Sequence, residues 1–245
     1  MGDGILARLA RRARPRTIPK RALAEKRPLL LASIAAALAF YYLRWGPWPE
    51  LYLIPVKGAA VGLLAAYLWL RHSSPDARLM AWAFGAAALG DMALEIETDR
   101  LIGGLLFFAY HVMALGVYMR NRRPQLTPSQ KGAVVALLVL TPLLGWLLPA
   151  DRAGALNVAL YALALGAMAA SAWASVFPRY RVGAGAVLFL LADLLLFAEM
   201  GPLQGHIVPQ VLVWPVYYLG QLLIATGVAQ TLRKRDPELK LVHNK

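Results

Sequence analysis

The sequence contains no cysteine. Disulfides, thiolate zinc sites, iron–sulfur clusters and a cysteine nucleophile are therefore excluded. Charge is scarce too: 16% of the 245 residues are Asp, Glu, Lys or Arg, against roughly 25% in an ordinary soluble domain. There is no Gly-x-Ser-x-Gly elbow, His-Glu-x-x-His pair, P-loop or dinucleotide fingerprint, and none of the six serines has the context of a nucleophile. His72, His206 and His243 fall in loops or the tail, apart from His111. A histidine metal site is disfavoured, and neither a metal nor an organic cofactor is expected. What the chain has in excess is apolar residues, 59% of the total. That excess excludes a disordered protein and points to a polytopic membrane protein.

A bilayer span needs about 20 mostly apolar residues. That ruler finds eight segments: 28–43, 51–71, 77–96, 101–120, 131–148, 155–177, 181–200 and 209–232. Polar or Pro/Gly stretches separate them, and no connection is long enough to hold a soluble domain. The expected architecture is all-α, a polytopic bundle of eight transmembrane helices. The runs are continuous rather than alternating, which excludes a β-barrel. Three parts follow: a basic cytoplasmic tail (1–27), the eight-helix transmembrane domain (28–232) and a basic cytoplasmic C-terminal tail (233–245). Arg44-Trp45-Gly46-Pro47 is not a small-x-small cleavage site, so the first span reads as retained and residues 1–27 as an inside-facing tail.

The net charge of +13 gains meaning from position. With the N-terminus inside, 22 of the 26 Lys and Arg fall in cytoplasmic segments, nine of them in residues 1–27. Only Arg44, Arg100 and Arg152 fall outside, and Lys57 lies within a span. This asymmetry follows the positive-inside rule and places both termini in the cytoplasm, with a bacterial inner membrane the preferred location. Because the basic residues flank apolar spans, no nucleic-acid partner is expected. Tyr41, Tyr42, Trp45, Trp48 and Tyr52 cluster where an outer aromatic belt belongs.

An ionisable side chain in hydrocarbon costs about 2.5–3.5 kcal/mol on insertion scales, so those present face the bundle interior. The residues concerned are Lys57, Asp91, Glu95, His111, Asp193 and Glu199. Lys57, Asp91, His111 and Asp193, with Tyr217, Tyr218 and Gln221, all lie about two to three turns from the outer ends of their helices. One polar pocket in the outer half, built from five helices, explains the shared depth. Glu95 and Glu199 lie nearer the rim and read as solvated. Without a function, the aspartates would be structural acceptors, Lys57 would snorkel to the interface, and His111 would make a helix–helix hydrogen bond. With one, Lys57 pairs with an aspartate or binds a lipid phosphate. Leu89-Gly90-Asp91 and Leu191-Ala192-Asp193, each with a Glu six residues after the Asp, are offset by four spans. That offset suggests a parallel 4+4 internal repeat. The Gly/Ala stretches at 85–90 and 183–186 suit close helix approach, and Pro142, Pro209 and Pro215 are expected to kink their helices.

Taken in order, Lys57, Gly90-Asp91, Gly104-Leu105-Leu106-Phe107-Phe108, Tyr110-His111, Tyr118, Tyr161 to Met168, Ala192-Asp193 and Tyr217-Tyr218-Leu219-Gly220-Gln221 resemble the YhhN family of lysoplasmalogenases. The resemblance runs from Val56 to Gly227. It implies an eight-span enzyme that hydrolyses the vinyl-ether bond of a lysophospholipid substrate among the membrane lipids, releasing a fatty aldehyde and glycerophosphoethanolamine or glycerophosphocholine. The implied site residues are Lys57, Asp91, His111, Asp193, Tyr218 and Gln221. Three positions depart from the family pattern: Ala192 stands for Ser, Tyr110 for Ala and Gly220 for Ala. Losing the Ser removes one hydrogen bond that would orient Asp193.

Such chemistry suits a buried carboxyl pair. Protonation of the distal alkene carbon needs a general acid, and the resulting cation needs a partner that activates water. Asp91 and Asp193 are the catalytic candidates, with the acid and base roles left open between them. Lys57, His111, Tyr218 and Gln221 would bind or orient. A small-molecule or proton-coupled transporter would use the same Asp/Lys/His cluster. A non-catalytic lipid-binding scaffold is a further alternative. An intramembrane aspartyl protease is weaker, because Ala88-Leu89-Gly90-Asp91 replaces the Gly-x-Gly-Asp signature.

Overall fold

The computed structural model describes residues 27–96 and 101–235. The basic residues of 1–26, together with Glu97, Arg100, Lys240 and Lys245, lie outside the described residues. The described chain is helical throughout: α1 (Arg27–Leu43), α2 (Glu50–Arg71), α3 (Pro75–Ile96), α4 (Leu101–Arg120), α5 (Pro128–Leu147), α6 (Ala155–Ala174), α7 (a π-helical turn Arg179–Gly183 running into Ala184–Glu199) and α8 (Ile207–Lys234). Seven of these are long and apolar enough to cross a membrane, and the chain is an integral membrane protein. The exception is α1. Its 17 residues rise about 26 Å, against the roughly 30 Å of a hydrocarbon core.

Local chemistry moves some boundaries. Helix α5 starts earlier than its hydropathy suggests because Pro128 occupies its first position and the Gln130 side chain accepts from the Thr127 N–H at 3.1 Å. Helix α7 also starts earlier, because the π-turn Arg179–Gly183 joins its N-terminus. Pro209 sits in the first turn of α8 rather than at a kink, because a first-turn residue has no intrahelical use for the N–H that proline lacks. Pro142 and Pro215 lie inside continuous helices.

Packing produces a ring. Helix α3 touches α4, α4 touches α6, α6 touches α7, α7 touches α8, and α8 returns to α3. Helices α1 and α2 pack outside the ring against α8, and α5 packs outside it against α6 and α7. At the end of the bundle holding Arg122, inter-loop hydrogen bonds join Arg123 to Ala174 and Asn121 to Val176. Helix α3 joins the same layer through Asp76, which accepts from Asn121. At the opposite end, which holds Trp45, Ala150 N–H donates to Met200.

Glycine sets the tightest helix contacts. A Cβ on Gly185 would stand 2.7 Å from the Gly220 carbonyl oxygen, and one on Gly220 would stand 2.7 Å from the Gly185 oxygen. Helices α7 and α8 therefore meet backbone to backbone, the small-residue contact that substitutes for hydrophobic driving force in lipid. Overpacking of this kind costs about 1–3 kcal/mol. Gly185→Ala is expected to lose that much in thermal unfolding of the detergent-solubilised protein. Gly116→Ala, where a Cβ meets nothing within 4 Å, is expected to be neutral or stabilising by about 0.5–1 kcal/mol through helix propensity. Equal responses at the two positions would refute the close-contact account.

Candidate active site

The ring interior collects polar side chains from each of its helices. Asp91 on α3 and Asp193 on α7 are 3% and 9% exposed. Each accepts a hydrogen bond on Oδ2 from a tyrosine of another helix. Tyr217 of α8 donates to Asp91 at 2.8 Å, and Tyr161 of α6 donates to Asp193 at 2.9 Å. These donors satisfy part of what a carboxyl group loses on leaving water.

Each carboxylate belongs to a small network. Beside Asp91, Gln221 Nε2 donates to the Tyr217 hydroxyl at 3.3 Å, and Tyr110 donates to Gln221 Oε1 at 2.9 Å. Beside Asp193, His111 Nε2 lies 3.0 Å from the Tyr161 hydroxyl and 3.8 Å from Asp193 Oδ2. Since Tyr161 gives its proton to Asp193, His111 donates to Tyr161 through Nε2–H. Its Nδ1 is buried with no hydrogen-bond partner among the described residues.

Aromatic rings join the two networks. Phe189 of α7, one turn before Asp193, packs on His111 at 5.1 Å, Tyr110 at 5.2 Å and Tyr217 at 4.9 Å between centroids. It sits between the partners of one carboxylate and those of the other.

The sequence-derived set is brought together in part. Asp91, Asp193, His111 and Gln221 converge in the ring. Lys57 lies one layer toward the Trp45 end, paired with Glu95 at 2.5 Å and not with an aspartate. Glu95 is thus partly buried and paired, not simply solvated, because Lys57 from α2 faces it. Glu199 ends α7 at the rim. Tyr218 points away from the aspartates and shares a hydrogen bond of 2.7 Å with Ser33 of α1. Successive helical residues differ by about 100° in direction, and it is Tyr217 that faces the ring. Tyr217 belongs to the polar pocket read from depth but not to the implied site residues, whereas Tyr161, Tyr110 and Phe189 are in neither. The depth criterion also applies to Tyr161, which lies six residues into α6. The spacing of Tyr217 and Gln221, four residues apart, marks a shared face.

A helical membrane bundle whose interior holds two tyrosine-bonded carboxyl groups beside a histidine brings together groups capable of acid/base chemistry. The YhhN family model matches residues 52–228, a stretch that contains every residue of this site. The chain belongs to the YhhN family. No curated protein and no solved structure gives a match to this chain.

Removing the Tyr217 hydroxyl leaves Asp91 and the Gln221 amide short of a partner, whereas removing that of Tyr218 leaves Ser33 its bond to the Ala60 carbonyl. Tyr217→Phe is expected to lower stability by about 1–2 kcal/mol in detergent unfolding, and Tyr218→Phe by less. The reverse order would show that the Tyr217–Asp91 bond is not holding the ring.

Proposed function

We propose that this protein is an integral membrane hydrolase that cleaves the vinyl-ether bond of lysoplasmalogens. The observation that carries the reading is the pair of buried carboxyl groups on α3 and α7, each held by its own tyrosine. One aspartic acid transfers its proton to the distal alkene carbon, leaving an oxocarbenium ion. The second, ionised, stabilises that cation and takes a proton from the water that adds to it. In the hemiacetal so formed, the second carboxyl returns its proton to the glycerol oxygen as the C–O bond breaks. The first accepts the hemiacetal hydroxyl proton as the aldehyde forms. Both carboxyl groups end as they began, and one water is consumed. His111 Nδ1, bare and buried, holds the attacking water, while Tyr161 and Tyr217 fix the two carboxyl groups. Lys57 binds the head-group phosphate. The alkenyl tail enters laterally from the bilayer.

We further infer that α1 completes an eight-span domain, that both termini are cytoplasmic, and that the protein resides in a bacterial inner membrane. The apolar surface of α1, its packing on α2 and α8 and the bias of Lys and Arg to one side support this. A parallel 4+4 repeat is supported by equivalent neighbours: α1 on α2 matches α5 on α6, and α4 on α6 matches α8 on α2.

General acid/base groups contribute about 10²–10⁴ in rate. Asp91→Asn and Asp193→Asn, each eluting as folded monodisperse protein, are expected to lower aldehyde release from a lysoplasmalogen by that factor. Turnover unaffected by either change would discard the mechanism, and no turnover by the unmodified protein would discard the substrate. Orientation has its own test, because a chain with no cysteine accepts single-cysteine probes. A membrane-impermeant thiol reagent added to intact cells is expected to label Gln204→Cys, in the exposed α7–α8 loop, and to spare Ser73→Cys, in the exposed α2–α3 loop. The opposite pattern would invert the topology.

A further inference from the structure

Away from the ring, at the end of the bundle that holds Arg122, the connection between α4 and α5 carries a fixed cation. Arg123 Nε donates to the Ser175 carbonyl at 2.6 Å and Nη2 to the Phe177 carbonyl at 3.3 Å, while its backbone N–H donates to the Ala174 carbonyl at 3.0 Å. The connection between α6 and α7 thus holds the guanidinium in one place. These acceptors are neutral and leave its charge uncompensated. The ion pairs among the described residues are Lys57–Glu95, His111–Asp193 and Arg120–Asp76, so no described carboxylate pairs with Arg123 or with Lys131.

These two cations border one cavity of about 400 Å³, completed by Pro124, Gln125 and Leu126. Lys131, in the first turn of α5, also heads a second space of about 520 Å³. The rest of that space is apolar, lined by Gly132, Val135, Ala136, Val139 and Leu140. Residues four apart stack along a helix, so these form two adjacent rows on one face of α5. A Cβ on Gly132 would meet nothing within 4 Å, and Val139 and Leu140 are half-exposed. From Lys131 to Leu140 the helix rises about 14 Å. Half of a hydrocarbon core is about 15 Å. A basin with two cations and an apolar slot one leaflet deep are therefore joined at Lys131.

We propose that this is a binding site for an anionic phospholipid of the surrounding leaflet, with the phosphate between Arg123 and Lys131 and one acyl chain along α5. The site stands apart from the aspartates and does not depend on the proposed reaction. Basic pockets at the ends of membrane helices hold anionic headgroups by charge and hydrogen bonding. A guanidinium already fixed by backbone carbonyls receives a phosphate with little further loss of rotamer freedom. A zwitterionic headgroup would bring its own ammonium up to the two cations, so the site discriminates against it. A second copy of the chain fits the slot poorly. A two-fold axis along the membrane normal would set Arg123 and Lys131 against their own copies, and like charges so placed repel.

The test is native mass spectrometry of the full-length protein in detergent micelles, titrated with phosphatidylglycerol or with phosphatidylcholine of the same acyl chains. The first phosphatidylglycerol is expected to bind about tenfold more tightly than the first phosphatidylcholine. Lys131 is exposed, so Lys131→Gln spares the packing and is expected to remove most of that preference. Arg179→Gln removes a cation at the same end that lines neither space and is expected to keep it. Gly132→Leu, which fills the slot, is expected to weaken phosphatidylglycerol binding while leaving the charge unchanged. Equal affinity for the two lipids, equal effects of Lys131→Gln and Arg179→Gln, or undiminished binding in Gly132→Leu would overturn the proposal. Glycerophosphoglycerol, the same headgroup without acyl chains, is expected to compete only at much higher concentration. Competition at equal concentration would make the ligand a soluble phosphate ester and overturn the lipid assignment. A dimer that Gly132→Leu dissociates would give the slot to a second copy and likewise overturn it.

Discussion

A carboxyl group taken from water into hydrocarbon must find hydrogen bonds or drag water with it, and this bundle carries two of them at the same depth. That constraint organises the interior. Each carboxyl requires a donor, and a neighbouring helix supplies it: Tyr217 of α8 for Asp91, and Tyr161 of α6 for Asp193. Each donor must then be oriented, and Gln221 and His111 orient them. These bonds run between helices, so the polar groups that are costly to insert into the membrane also fix how the helices sit once inserted. Interhelical hydrogen bonds of this kind contribute about 0.6–1.7 kcal/mol each in membranes. They specify one arrangement among several that apolar packing alone would allow.

Glycine stands beside two of the site residues. A tyrosine is long enough to reach a carboxyl group across an ordinary helix–helix contact, so glycine serves the backbone contacts beside these bonds and not the bonds themselves. Gly90, adjacent to Asp91, faces Phe107 and the Gly103 carbonyl, and Gly220, adjacent to Gln221, faces the Gly185 carbonyl. Asp91 and Gln221 are therefore each preceded by a residue with no side chain to hold its helix away. The departure at position 220, glycine where the family pattern has alanine, falls at one of these contacts.

Much of this was legible in the sequence. Span length and punctuation located the helices because a bilayer imposes one ruler on all of them. Depth located Lys57, Asp91, His111, Asp193 and Gln221 because the cost of polarity in lipid depends on depth. Rotational phase was not legible. Tyr217 and Tyr218 are both buried, and a helix packed on several sides carries no polar face to show which direction is inward. Only the neighbours decide that Tyr217 meets Asp91 while Tyr218 meets Ser33. Tyr161 was obscured for a related reason. A lone tyrosine in an alanine- and leucine-rich helix reads as packing until the carboxyl on the next helix is known. The pairing of Lys57 depends on Glu95, whose distance from the rim made solvation the simpler expectation.

The separation of the two carboxyl networks bears on the kind of chemistry the site supports. A dyad that shares one proton, as in aspartic proteases, requires its carboxyl groups to hydrogen-bond to each other. Here each Oδ2 is engaged by a different tyrosine, and Phe189 packs between the partners of the two. That arrangement suits a reaction in which one carboxyl delivers a proton to carbon and another receives one from water on the way to the same intermediate. On the proposed reading the substrate lies between the two carboxyl groups, with its head-group phosphate toward Lys57 at the Trp45 end.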